Sequence, residues 1–514
     1  MLLFASLTCV LLALVIEFFR RRWNAFRYFE KLGIPYPRPH LLWGHYHLLR
    51  KVHLETLNEW CARFGPTFGV FWGDKPFLVT SDLELIQRVM VKDFHIFPNR
   101  TRQFALDSAH PLNSSSIFHR RDEAWKRLRG VITPTFTSAK MRNMVPVVQR
   151  SVTDFLAVIR RLSQTGEAVD VYPLLKRFTV DNISRTAFGI EASTLANPDE
   201  VPRLLKAGLE TIENSNVGVL DLVVNSFRTI GEGMRSLLRF LFTYNLIGHT
   251  SNDLLLECLQ IVTLRRRSGQ RRVDLLQALL DANEATTDEN SLAATDGDEK
   301  VESLRDNPVK RLSTSLTDEE VISNTIIFFL AGYETTSSAL GYLLYVLATH
   351  SDVQERLRRT TAEFDQDDLY ASVMRCKYLD QVVHEALRLY PPVTSFVTRS
   401  ASTSFQHGSL TLPAGLGIYV PVFQLHRNPD VWPDPLEFRP ERFERRDFHP
   451  MAYQAFGAGP RNCVGMRFAL LTIKLLVFEI LQCFRITAEH PMKPTSKYIV
   501  SQPDRVVLKF EALR

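Results

Sequence analysis

One stretch near the C-terminus constrains this chain more than any other: Phe456-Gly457-Ala458-Gly459-Pro460-Arg461-Asn462-Cys463-Val464-Gly465. Its glycines and proline impose a tight turn, and an arginine stands two residues before the thiol. An apolar run with helical spacing, Met466 to Leu481, begins just after it. A thiol at a helix N-terminus meets backbone N–H groups without intrahelical partners and the positive end of the helix dipole. Both are expected to favour thiolate over thiol. Glycine leaves room for a flat group to approach the backbone. A lone cysteine is more often a buried, inert thiol; the ten-residue frame sets this one apart.

A thiolate in such a loop suits axial ligation of haem iron, where it pushes electron density onto the metal and favours O–O cleavage. The residues thus point to a haem-thiolate oxygenase with Cys463 as metal ligand. The stretch resembles the haem-binding signature of the cytochrome P450 family, with Phe456, Gly459, Arg461, Cys463 and Gly465 at its fixed positions. The resemblance implies haem b held by Cys463, with Phe456 in the haem site and Arg461 on a haem propionate.

With 514 residues and 45% hydrophobic composition, the chain can bury a large core, and no linker clearly divides it. The net charge of +6 is mild and does not suggest nucleic acid. Six scattered cysteines without a CxxC pair fit a reducing compartment. The sequons at Asn99, Asn113 and Asn182 are expected to be unused on a cytosolic domain.

Met1 to Ile16 is almost wholly apolar and is followed by Arg20-Arg21-Arg22. A cleaved signal peptide carries its charge before the apolar core; here the charge comes after it, and the arginines should stay cytosolic. Residues 1–22 are expected to form a signal-anchor transmembrane helix, with a buried N-terminal helix as the alternative. Residues 23–45 hold Gly33-Ile34-Pro35-Tyr36-Pro37-Arg38-Pro39 and are expected to form a stiff, extended hinge. Residues 46–514 form the haem-binding domain. Phe68 to Trp72 and Phe77 to Thr80 read as a hairpin, 120–285 as mostly helical, Glu284 to Ser315 as a long polar surface loop, and Gly408 to Val422 as short strands. The fold class is therefore mainly α with a small β-rich lobe built from both ends, and the resemblance makes it the P450 fold.

Thr317-Asp318-Glu319-Glu320 is a capping box that opens a long apolar helix, Val321 to His350. Inside it, Ala331-Gly332-Tyr333-Glu334-Thr335-Thr336 is costly unless used. Gly332 is expected to let a flat cofactor lie against the backbone. Thr335 can compete for the Ala331 carbonyl and open a polar notch for O2 and water, and Glu334 can feed protons. A kink of packing origin is the alternative. The motif resembles the family's oxygen-activation segment. Glu385-Ala386-Leu387-Arg388 places an acid and a guanidinium on one helix face. By resemblance, Arg442 in Phe438-Arg439-Pro440-Glu441-Arg442-Phe443 completes a buried structural triad with them. Trp125 and Arg129 lie four apart and can reach one carboxylate, which matches the family's propionate site; Arg399 and Arg100 are further candidates, with a solvated loop as the alternative for Arg100. Lys126, Arg127, Arg445 and Arg446 could dock an acidic redox partner, or simply be solvated.

The resemblance spans the chain in the family order. Within the family, Trp125 through Ser138, Ala331 through Ser338, and Gly465 through Leu470 resemble the 3A and thromboxane-synthase branch. This implies a microsomal enzyme on the endoplasmic reticulum membrane, facing the cytosol. It would be driven by NADPH-cytochrome P450 reductase, with cytochrome b5 as an optional second donor. Retention of Glu334 and Thr335 favours a monooxygenase; an isomerase or dehydratase acting on peroxides without NADPH and a non-catalytic haem protein are the competing readings. The substrate pocket, expected to be apolar, is assigned to Phe104–Phe118, about 205–250, Ile326–Leu330, Val393–Val397 and the turn near Ser501.

Overall fold

The computed structural model describes residues 2–101, 114–191, 194–196, 203, 206–208, 219–227, 235–243, 251–292, 316–365, 367–395, 397–497 and 500–513. The helices that position the site are α1 (Leu2–Phe26), α2 (Asp122–Ile132), α3 (Ser138–Ser163), α4 (Tyr172–Ile183), α5 (Asp318–Thr349), α6 (Lys377–Leu389) and α7 (Met466–Cys483). The strands are β1 (Thr67–Trp72), β2 (Lys75–Thr80), β3 (Val169–Asp170), β4 (Thr398–Ser400), β5 (Phe405–His407), β6 (Leu410–Leu412), β7 (Gly417–Tyr419), β8 (Phe484–Ala488), β9 (Pro494–Lys497), β10 (Val500–Pro503) and β11 (Val507–Ala512).

α5 is the axis of the molecule. The Thr317 hydroxyl accepts from Glu320 N (3.2 Å), and Glu320 Oε2 accepts from Thr317 N (3.1 Å), so both orphan donors at the start are satisfied. The helix then packs on α4, α6, α7, β8 and β10. It is apolar around most of its circumference, as a helix enclosed by others must be. Val148 and Phe155 of α3, Phe178 of α4, Leu340 and Leu344 of α5, and Leu471, Leu475 and Phe478 of α7 share one buried core.

The largest sheet has the order β1-β2-β7-β4. β1 and β2 form an antiparallel hairpin with Trp72 opposite Lys75, β2 runs parallel to β7, and β4 antiparallel to β7. Both ends of the chain therefore build this lobe. Smaller sheets are β3-β11-β8, β5-β6 and β9-β10.

One expectation changes. The polar stretch from 284 onward is helical at first, because a helix runs Leu275–Leu292; Glu284, Ala285 and Glu289 sustain it by propensity. Residues 293–315 lie outside the described residues. The proline-rich segment is packed on the domain. α1 runs on through the arginines to Phe26. Arg22 is buried, donating from Nε to Leu41 O (2.5 Å) and from Nη2 to Leu42 O (2.6 Å) and Ser226 O (2.7 Å). Pro35 O accepts from Gly69 N (2.8 Å), and the Tyr36 ring meets Phe29 and Phe71. The segment is thus docked along β1.

Among the described residues, no helix is long and apolar enough to cross a membrane; the side chains of Leu2, Leu3, Ala5 and Leu7 lie outside that description. Phe4, Val10, Leu11, Leu12, Leu14 and Ile16 of α1 are exposed. Of the sequons, Asn99 and Asn182 are buried, and Asn113 lies outside the described residues.

Candidate active site

The cysteine loop closes on itself. Cys463 N donates to Phe456 O (2.9 Å) and Asn462 N to Gly459 O (3.0 Å). Gly457 and Gly459 take left-handed φ of +67° and +69°, and a Cβ on Gly459 would stand 1.9 Å from Met90 O. Only glycine allows that turn at that approach. α7 begins at Met466 with Gly465 as its N-cap. The Cys463 thiol is exposed at its own surface, while protein crowds it over a wider radius. That burial raises it above the ordinary thiol value, against the Gly465 N–H and the cations Arg129 and Arg100, which pull it down. A metal ligand loses that proton on binding.

Around the loop stand four guanidiniums. Arg461 donates from Nε to Pro98 O (2.5 Å) and from Nη2 to Asn99 Oδ1 (3.2 Å) and Arg120 O (3.1 Å), with its Cζ 4.1 Å above the Trp125 ring. Trp125 thus lies under Arg461, and Arg461 stitches the cysteine loop to residues 98–99 and to the approach to α2. Arg129 holds Asn462 O (2.8 Å) and Asn462 Oδ1 (2.7 Å). Arg100 Nη2 donates to Arg461 O (3.2 Å), and its Cζ lies 4.7 Å from the Phe118 ring centroid, so the solvated-loop alternative for Arg100 falls away. Arg399 Nη1 donates to Thr398 O (2.8 Å).

These cations want an anion. Burial, then Arg100 and Arg399, pull Arg461 down to about 8; burial, then Arg100, pull Arg399 down to about 9; burial pulls Arg100 down to about 10. A guanidinium keeps its proton in a protein, so buried guanidiniums beside one another call for a counter-charge. Arg461 Nη1, Arg399 Nε and Arg100 Nε have no hydrogen-bond partner among the described residues. A thiol flanked by buried, under-satisfied guanidiniums fits haem, whose propionates are such anions.

On α5, Thr335 Oγ1 donates to Ala331 O at 2.6 Å. Ala331 is exposed and Thr335 half-buried in the middle of an otherwise enclosed helix. A Cβ on Gly332 would meet Ile183 Cδ1 of α4 at 2.9 Å. The side chain of Ile183 fills the space a Cβ would need on that side of the helix. Glu334 is turned to α4, with Lys176 Nζ 3.5 Å and Tyr172 OH 3.5 Å from its Oε1.

Glu385, Arg388 and Arg442 meet. Arg388 donates from Nε to Glu385 Oε2 (2.7 Å) and from Nη2 to Glu385 Oε1 (2.9 Å); Arg442 Nε (3.3 Å) and Arg439 N (2.9 Å) also reach Oε1. Arg388 Nη1 adds His426 O (2.7 Å) and Pro435 O (2.9 Å). Sequence reasoning missed His426. Its Nε2 accepts from Gln454 N (2.8 Å), so its proton is on Nδ1, which donates to Arg388 O (3.0 Å). Burial, then Arg388, hold this histidine neutral, down to about 3. No local motif marks it, because its partners are 38 and 28 residues away.

Of the basic residues expected to dock a partner, Arg127 is committed elsewhere: its Nη2 pairs with Glu320 of the capping box. Arg446 pairs with Asp380 (2.9 Å). Lys126 and Arg445 are exposed. Phe456 is half-buried at the loop's start. Of the expected pocket wall, 104–113 and much of 205–250 lie outside the described residues. Ser501 is buried, with its Oγ 2.8 Å from Tyr342 OH.

A mainly helical body that presents a cysteine on a glycine-bent loop at the start of a core helix, ringed by guanidiniums, defines a haem-thiolate protein. The chain belongs to the cytochrome P450 family: residues 34–510 match the family profile described as Cytochrome P450. It is 34% identical over 505 residues to Cytochrome P450 3A29 of Sus scrofa, covering 94% of this chain and 92% of that protein. It is 32% identical to Cytochrome P450 3A14 of Cavia porcellus (98% and 97% covered) and 31% to Cytochrome P450 3A41 of Mus musculus (98% and 96% covered). It is a monooxygenase with haem as cofactor.

Proposed function

We propose that this monooxygenase acts on an apolar small molecule of xenobiotic, steroid or fatty-acid-like type, with electrons from NADPH passed by NADPH-cytochrome P450 reductase and, optionally, cytochrome b5. The supporting observation is the opening at Ala331 and Thr335 in an otherwise buried, apolar helix. When bound, haem supplies O2 activation and oxygen transfer. The chain supplies the rest. Cys463 would hold the haem iron through its sulfur, with Phe456 at the base of its loop. Arg100, Arg129, Arg399 and Arg461 provide the charge for the propionates, and Trp125 supports Arg461. The Thr335 hydroxyl and the Ala331 carbonyl form a notch that can order a water, and Glu334 supplies protons to it. Glu385, Arg388 and Arg442 hold the loop's foundation.

We place the enzyme on the endoplasmic reticulum membrane, facing the cytosol. The exposed apolar side chains of α1 support insertion, because each would be costly in water. The arginines that follow favour the cytosolic side.

The test is reconstitution with reductase in vesicles. Product should require NADPH, reductase and O2 together. Thr335→Ala should keep consuming NADPH while product falls and peroxide rises; unchanged coupling would remove the threonine from the mechanism. Turnover of a hydroperoxide without NADPH would replace the proposal with an isomerase.

A further inference from the structure

Between Glu320 and Leu344 of α5, only Ile327, Leu330, Ala331, Gly332 and Thr335 are not buried. They recur at helical spacing and form one open stripe, centred on Ala331, along an otherwise enclosed helix. Toward the N-terminus the stripe stops one turn short of Asn324. Asn324 lies seven residues before Ala331 and eleven before Thr335. It therefore points within about 20° of both and stands about 10 Å along the axis from Ala331.

Asn324 is fully buried, where an amide without partners is costly. Its Nδ2 donates to Glu320 O (2.7 Å), and its Oδ1 accepts from Ile117 N (2.8 Å). The backbone at Ile117 is thereby seated across the N-terminal end of the stripe. Further contacts hold the same segment. Ser115 Oγ donates to Glu319 Oε1 (2.6 Å), and Arg120 Nη2 donates to Ser115 Oγ (3.1 Å) and lies 3.6 Å from Glu320 Oε1. The Phe118 ring meets Arg100, which itself donates to Arg461 O (3.2 Å). Residues 115–120 therefore run as a wall from the first turns of α5 to the guanidiniums around the cysteine loop.

We infer that Asn324 is a positioning residue for specificity. Through Ile117 it fixes where the pocket ends along α5, and so how long a molecule can lie against the stripe while it reacts beside Ala331 and Thr335. Seven residues of helix leave about 10 Å in that direction. Such room favours a compact, ring-built molecule over an extended acyl chain. The inference rests on the apolar pocket proposed over the Ala331–Thr335 notch and narrows its substrate class.

The experiment uses full-length, haem-loaded protein and a series of 1-alkylimidazoles of increasing tail length. Their ring nitrogen ligates haem iron, and the Soret shift gives Kd. In the parent, affinity should rise about fourfold per methylene until the tail reaches Ile117, then level off or fall. In Asn324→Ala the rise should continue to longer tails, and amide exchange at Ile117 should quicken. Asn324→Asp keeps the acceptor for Ile117 N and should restore the parent's break point. A parent series with no break, an unmoved break in Asn324→Ala, or unchanged exchange at Ile117 overturns the inference. Should Asn324→Ala not fold, Ser115→Ala, which removes the bond to Glu319, takes its place with the same readouts. Absence of a Soret shift with every imidazole overturns the pocket over the notch itself, so the two failures are distinguishable.

Discussion

Glu385→Ala tests the buried ion-pair cluster most severely. The Glu385 carboxylate and the Arg388 guanidinium are both fully buried, and the carboxylate accepts from Arg388 twice, from Arg442 and from Arg439 N. Removing it leaves Arg388 and Arg442 as neighbouring cations with no anion between them. Breaking a buried pair from one side costs about 3–5 kcal/mol. The stranded Arg439 N–H adds about 1–3 kcal/mol. Whole-protein stability is about 5–15 kcal/mol, so even the lower sum removes a large share of it. The assay is urea unfolding, together with the haem-to-protein ratio from the ferrous-CO difference spectrum. Glu385→Ala should yield protein lacking haem, and Glu385→Gln, which keeps volume and an acceptor, should fall between it and the parent. Full haem content with a stability loss under about 1 kcal/mol, the range of an exposed pair, would refute the reasoning.

Cys463→Ala should abolish the strongly red-shifted ferrous-CO band; its persistence would mean another residue ligates the iron. Gly459→Ala should lose haem, because its left-handed φ and the 1.9 Å approach to Met90 O leave no place for a methyl group; normal haem content in purified protein would contradict this. Stability should fall on acidification. Burial holds His45 and His53 down to about 4 and His426 down to about 3, below the ordinary histidine value of 6.5. The unfolded chain therefore binds protons that the folded chain refuses. The loss begins near pH 6.5, runs at about 1.4 kcal/mol per pH unit per histidine, and levels off toward pH 3–4. Denaturant midpoints measured from pH 7 to 4.5 check it, and a flat profile would show that these rings are not held neutral.

What the sequence revealed followed the range of each interaction. Contacts within one helical turn were legible: the Thr317 capping box, the Thr335–Ala331 bond and the Glu385–Arg388 pair all depend on spacings of three or four residues. The hairpin at Gly73-Asp74 was legible from turn chemistry. The approach of Ile183 to Gly332 was not legible, because Ile183 belongs to another helix. Arg127 misled for the same reason, since its partner Glu320 lies 193 residues away. The proline-rich segment has the composition of a spacer, but only the fold provides β1 for it to dock on. The polar run after Asn283 kept helical propensity without an apolar face, so hydrophobic periodicity could not see it.

The single tautomer of His426 has a bearing on how the protein comes apart. One ring nitrogen is fixed by the backbone of α6 and the other by the amide of Gln454, three residues ahead of the glycine bend. Neither end can open without costing the other its partner. The ion-pair cluster and the metal-ligand loop should therefore behave as one cooperative opening unit. Amide exchange at Gln454 should keep pace with exchange in α6, and release of the cofactor should coincide with melting of this region instead of preceding it.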